Sequence, residues 1–182
     1  YEWVRLADLP PAPVTAVEPA GSRGHAAYAP LREHLWQPGA GPRVLLVDLD
    51  NLRAGPLRWG RRMAMVVSMA READHAVLAG QEGAVRRGRP HLAEFADAAV
   101  QVADGSDLAD HVLLDAAAEV PGPARFVLLS NDWIFAALAE RGPLTVVSPG
   151  GDALSDRLRA AATRVVDLAA LEGSIPESGR KA

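Results

Sequence analysis

The run Arg43-Val44-Leu45-Leu46-Val47-Asp48-Leu49-Asp50-Asn51 decides the fold. Its first five residues are almost continuously apolar but too few for a helix, the pattern of a strand covered on both faces. Strands of that kind belong to parallel sheets flanked by helices. The acid that closes the run needs a separate explanation. Helix capping does not supply one, because a cap stands at the start of a helix and Asp48 precedes the next helical pattern by several residues.

Outward from this strand, short apolar runs alternate with helical patterns. Residues 57–73 carry a helical stripe at Met63, Val66, Val67 and Ala70, and residues 75–79 form a second strand. A brief helix is expected over 89–95, a strand over 99–102, and a strong helix over 108–120 preceded by Asp104, Ser106 and Asp107 as capping residues. Strands over 126–129 and 144–147 enclose a helix over 134–140, closed by Gly142 and Pro143. A helix over 155–164 and an apolar stretch at 165–171 finish the pattern. Alternation at this spacing predicts an α/β fold, a parallel sheet of five to six strands with helices on both faces. Ligands of such sheets bind beyond the carboxyl ends of the strands.

Composition sets the outer limits. The 182 residues are 49% hydrophobic and 23% charged, enough for one domain with a sizeable core. That domain is expected over residues 43–171. Residues 1–42 form a proline-rich arm packing on it, with Trp3 and Trp36 as anchors and a short helix within 31–36. The polar tail over 172–182 is expected to be disordered. A net charge of −4 gives no global basic field, so any contact with nucleic acid must use a local patch. The absence of cysteine excludes disulfides, thiolate metal sites and cysteine nucleophiles. No apolar run approaches the roughly 20 residues of a membrane span, and a cytoplasmic location is expected.

Three segments deliver carboxylates to one edge of the expected sheet: Asp48-Leu49-Asp50-Asn51, Ser130-Asn131-Asp132, and the helix opening Asp107-Leu108-Ala109-Asp110. Singly, Asp50, Asn51, Asn131 and Asp132 each also suit a turn or a cap, and Asp107 suits a cap better than a ligand. Asp115 lies roughly 140° around the helix from Asp110 and faces elsewhere. Two carboxylates at 4 Å repel by about 4 kcal/mol at an effective dielectric near 20, so a cluster needs protonation, separation or a cation. A hard divalent ion, Mg²⁺ or Mn²⁺, suits oxygen donors. Zinc is disfavoured, because His111 beside Asp110 is the one imidazole at these ends.

The strings VLLVDLDNL (44–52), DLADHVLLDAA (107–117) and FVLLSNDWIFAALAERG (126–142) resemble, in that order, the NYN branch of the PIN-like nucleases. The closing portion, LTVVSPGGDALSDRLRAAATRVVDL (144–168), is similar to that family's last strand, helix and short strand. The resemblance covers residues 43–171 and implies a PIN-like, Rossmannoid three-layer sandwich. It implies an RNA-hydrolysing site in which Asp48, Asp110 and Asp132 hold Mg²⁺ or Mn²⁺, with Asp50 as a weaker further ligand. Asn51 would orient substrate or a water on the metal, and Ser130, with Asn131 beside it, would hold the turn or contact phosphate. Many members carry another acid two residues after the last of these, where this chain has Ile134.

The implied partner is RNA, single-stranded or structured, with room for a homodimer and no membrane. Phosphate contact would fall to Arg86, Arg87 and Arg89, or to Arg58, Arg61 and Arg62. Two other readings follow from the same residues. A weak or inactive NYN module would bind RNA or a protein without cleavage, as Ile134 suggests. A HAD-like phosphatase would use Asp48-x-Asp50, Ser130 and the pair Asp152 and Asp156. It is disfavoured by the short span from Ser130 to Asp152, which contains no lysine, and by Leu52 in place of Thr or Val.

Overall fold

Alternate residues of the opening strand enter different cores: Leu45 and Val47 on one face of the sheet, Val44 and Leu46 on the other. That is why the run is apolar throughout instead of alternating. The computed structural model describes residues 3–11, 35–105 and 107–173. Its strands are β1 (Trp3–Arg5), β2 (Arg43–Asp48), β3 (His75–Gln81), β4 (Ala99–Val102), β5 (Arg125–Leu129), β6 (Leu144–Ser148) and β7 (Arg164–Asp167). They form one sheet in the order β1-β4-β3-β2-β5-β6-β7. Every pairing is parallel except β1 on β4.

The helices are α1 (Pro56–Glu72), α2 (Glu82–Gly88), α3 (Leu108–Glu119), α4 (Asp156–Ala161) and α5 (Leu168–Gly173). One layer is led by α1, whose Met63, Val66 and Val67 pack on Leu45, Val47, Val127 and Leu129. Pro56 at its first turn supplies a preset φ where an N–H would be unpaired anyway. After the helix, the Asp74 N–H donates to the Arg43 carbonyl at 2.9 Å and turns the chain into β3. The opposite layer contains α3, α4 and the 3-10 segment Trp133–Glu140, packed on Val44, Leu46, Phe126, Leu128 and Val146. Leu46 is fully buried at the sheet's centre, so Leu46→Ala should cost about 2–5 kcal/mol.

The sheet corrects the expected count and direction. It has seven strands, not five or six, and is not purely parallel, because residues 3–5 of the arm add an antiparallel edge. The apolar stretch at 165–171 contributes the seventh strand and α5. The anchors also divide. Leu35 and Trp36 are buried in the α1 core, and the Thr145 hydroxyl donates to the Leu35 carbonyl at 2.7 Å. Trp3 pairs through its backbone with Val102 but leaves its ring 47% exposed, so it is no anchor. Most of the helix expected within 31–36, and nearly all of the 172–182 tail, lie outside the described residues.

One helix is displaced. The segment expected over 89–95 is instead α2 at Glu82–Gly88, followed by a 3-10 turn at Ala93–Phe95. Pro90 has no N–H to bond back to Arg86, so the helix cannot pass through it. Among the described residues no helix is long and apolar enough to cross a membrane.

Candidate acidic site

From β2 the chain winds outward through β3 and β4, whereas β5, β6 and β7 lie on the other side of β2. The winding therefore reverses between β2 and β5. Such a reversal leaves a crevice beyond the carboxyl ends of the two strands, since their following connections diverge. Asp48 ends β2, and Ser130-Asn131-Asp132 follows β5.

Asp48 is buried, and three donors fix its carboxylate. The Asp50 backbone N–H reaches Oδ1 at 3.1 Å, which makes Asp48 the N-cap of a 3-10 turn at Leu49–Asn51 and corrects the expectation that capping has no part in it. The Ser130 hydroxyl reaches Oδ2 at 3.2 Å, and the Asn51 side-chain amide also donates to Oδ2. Burial raises its pKa above the ordinary carboxylate range, with the charge of Asp50 acting in the same direction. The Asn51 and Ser130 hydrogen bonds oppose the rise. Asn51 thus orients Asp48 itself, where an orienting contact to substrate or water was expected.

Ser130 is fully buried. Its oxygen donates to Asp48 and accepts from the Asp132 N–H at 3.2 Å, which joins the ends of β2 and β5 and leaves no outward face for phosphate. Asn131 is likewise a clamp. Its amide donates to the Gly150 carbonyl at 3.1 Å, and its Oδ1 accepts the Ser148 hydroxyl at 2.6 Å. Asp132 is half-buried, and its Oδ1 accepts from the Ile134 N–H at 3.1 Å. It therefore caps the 3-10 segment while standing at the crevice, so capping and acidic roles coexist in one side chain.

Asp50 is tied down differently. Both of its oxygens accept from the Gln81 N–H at the end of β3, which makes it a latch between strands before any ligand role. Gly80 makes the approach feasible, since a Cβ there would lie 2.8 Å from the Leu49 Cβ.

Asp110 brings the segments together. It sits buried in the first turn of α3, and its pKa is pushed up to about 7, first by burial and then by the charges of Asp48, Asp132, Asp107 and Asp50. All three segments thus share one electrostatic field. Asp107, expected as a cap, precedes the helix in the left-handed region at φ 70° and makes no side-chain cap bond. Short Asp side chains tolerate that conformation. Asp115 is exposed, away from the cluster.

The arginine groups are mostly occupied by the fold. Arg87 stacks on Trp59 with its guanidinium carbon 4.3 Å from the ring centroid, and donates to the Ala54 carbonyl at 2.6 Å. Arg89 donates to the Leu9 carbonyl at 3.2 Å and to that of Pro10, holding the arm. Arg86 faces Glu82 one turn back at 3.7 Å. Arg62 is buried and bonds the carbonyls of Arg53 and Pro149. These contacts tie Arg87, Arg89 and Arg62 to backbone carbonyls of neighbouring segments. Arg53, which sequence reasoning passed over, does border the crevice. It is exposed, lowers the pKa of Asp50 against the effect of burial, and lines a cavity of about 400 Å³ with Asp50, Asn51 and Asn131. Its place two residues after Asn51 was the available signal.

The donor set is all oxygen and all acidic, which fits a hard divalent cation and not zinc. Among the described residues, however, no three acidic or imidazole side chains converge into a ready-made ligand cage. Compared with known protein families and with curated proteins, the chain finds no match in either.

Proposed function

We propose that this chain is a metal-dependent ribonuclease of the PIN-like three-layer type, with Mg²⁺ or Mn²⁺ held by Asp48, Asp110 and Asp132. The observation that carries the proposal is Asp110, a buried helix-borne acid raised to about 7 first by burial and then by the charges of Asp48, Asp132, Asp107 and Asp50, which three segments bring to the reversal point of the sheet. Buried carboxylates in mutual repulsion are uncommon unless a site uses them. A bound divalent ion would supply neutralisation of phosphate charge and a more acidic water. The chain's own contribution is positional. Asn51 and Ser130 aim Asp48, the same Ser130 oxygen sets the backbone of Asp132, and α3 carries Asp110 into the charge field of both.

The test is incubation with labelled single-stranded and structured RNAs, with Mn²⁺ and with EDTA. Cleavage is expected with Mn²⁺ alone and should vanish in Asp48→Asn and Asp132→Asn. No cleavage of any RNA by the wild type would favour the second reading, a binding module without catalysis. That reading is supported by the lack of a three-acid cage among the described residues and by Ile134, an apolar side chain packed against the α3-side core where many members of the resembled family carry an acid.

A further inference from the structure

Trp133 directly follows the site acid Asp132 and is 53% exposed, whereas Trp36 and Trp59 are buried. Core packing does not account for it. The Asp132 cap fixes the start of the 3-10 segment, and Phe135 and Leu138 take its buried positions. At three residues per turn, Trp133 then stands above half-buried Ala136 on the outer side. The indole is nonetheless held. The Arg157 guanidinium carbon lies 5.0 Å from its ring centroid, and Arg157 is placed by α4, whose Ser155 cap accepts from the Leu158 N–H at 3.2 Å. The other large exposed apolar side chains among the described residues are Trp3, Val4 and Leu57. They lie on the far edge strand and on the opposite helical layer, so Trp133 is not part of a wide apolar patch of the kind protein partners use.

An exposed aromatic plane backed by a guanidinium, one residue from an acidic site, matches the chemistry of an unpaired nucleobase and its phosphate. We propose that Trp133, with Arg157 behind it, is a stacking platform for one base of a single-stranded RNA whose phosphate lies at the acidic site. The proposal deepens the nuclease reading and rests on it for the identity of the strand. It also selects among substrates, because bases inside a duplex are already stacked and offer no free face. Stacking on a ring is tolerant of base identity, so the platform reads strandedness and not sequence.

The test measures binding of a short labelled single-stranded RNA, and of the same sequence as a duplex, by fluorescence anisotropy with Mn²⁺ present. Asp48→Asn serves as the parent to suppress cleavage, and wild-type cleavage is followed separately. Adding Trp133→Ala should weaken single-strand binding about 5- to 100-fold, with little change for the duplex. Trp133→Phe should retain most of the affinity. Because the side chain is exposed, the melting temperature should barely move, which separates lost stacking from lost folding. Equal single-strand affinity for parent and Trp133→Ala overturns the platform, and the nuclease reading survives if the wild type still cleaves. A parent that binds no RNA also overturns it. Altered sedimentation of Trp133→Ala with unchanged RNA binding would assign the face to a second copy of the chain and overturn it as well. Trp133-dependent binding with no wild-type cleavage would keep the platform and remove the nuclease.

Discussion

Both carboxylate oxygens of Asp50 accept the backbone N–H of Gln81, each at 3.1 Å. The contact joins the loop after β2 to the end of β3, and Gln81 in turn donates its side-chain amide to the Gly105 carbonyl at 3.2 Å. One acid of the cluster therefore braces the loops that present the others.

Asp50→Ala should destabilise the protein by about 1–3 kcal/mol, because it leaves the Gln81 N–H without its acceptor. Asp50→Asn keeps an acceptor oxygen and removes a charge that burial disfavours. It should be neutral or slightly stabilising. Urea unfolding of the three proteins at pH 7 checks both signs, and equal losses for Ala and Asn would show that the charge, not the acceptor, matters.

Stability without divalent metal should fall as pH rises from about 4 to about 7. The Asp110 pKa is raised in the folded state to about 7, so the native protein binds a proton that the unfolded chain has already released. The loss is complete above the folded pKa and amounts to about 4 kcal/mol at most. Asp48 is shifted in the same direction and adds to the slope. Asp110→Asn should flatten the profile and be more stable than wild type at pH 8. An unchanged slope in that variant would remove Asp110 from the cluster.

Mn²⁺ should raise the melting temperature of the wild type by an amount that grows with concentration, more at pH 8 than at pH 5, where Asp110 holds a proton. Asp132→Ala should cost about 1 kcal/mol even without metal, since it deletes the cap on the Ile134 N–H. Asp132→Asn keeps a capping oxygen and isolates the loss of charge. If Mn²⁺ stabilises Asp132→Asn as strongly as wild type, Asp132 is a cap alone.

Arg89→Ala should lower the melting temperature, because Arg89 holds the Leu9 and Pro10 carbonyls of the arm. Arg86→Ala should not, since its pairing with Glu82 is a solvent-exposed contact within one helix. Thermal denaturation of the two variants side by side decides the matter, and equal melting temperatures would detach the arm from Arg89.

The sheet was legible because residues 44–47 and 126–129 are apolar throughout, and 99–102 and 144–147 nearly so, and burial on both faces leaves no competing pattern. Strand order was not legible, and with it went the placement of Asp48 beside Ser130 at the reversal point. That neighbourhood depends on which strands pair, not on local periodicity. The edge strand at Trp3–Arg5 was hidden for a related reason. Its three residues, Trp3, Val4 and Arg5, are exposed, so no buried apolar pattern marks the pairing. Helix α2 was missed because its two glycines and single buried Val85 give almost no stripe. Among site residues, the acids stood out by type and position. The partners of Asn51, Asn131 and the arginines did not, because a side chain's bonding capacity is used wherever the fold brings a carbonyl or carboxylate near it.

The antiparallel edge has a kinetic consequence. β1 joins the sheet across a long intervening segment of chain, so its closure entropy is met only after β4 is in place. It gains little burial in return, as its three residues are exposed. In native-state hydrogen exchange β1 should therefore open independently of the rest. Amides that bond between β1 and β4 should lose protection at free energies well below those of β2 and β5, whose exchange should require global unfolding.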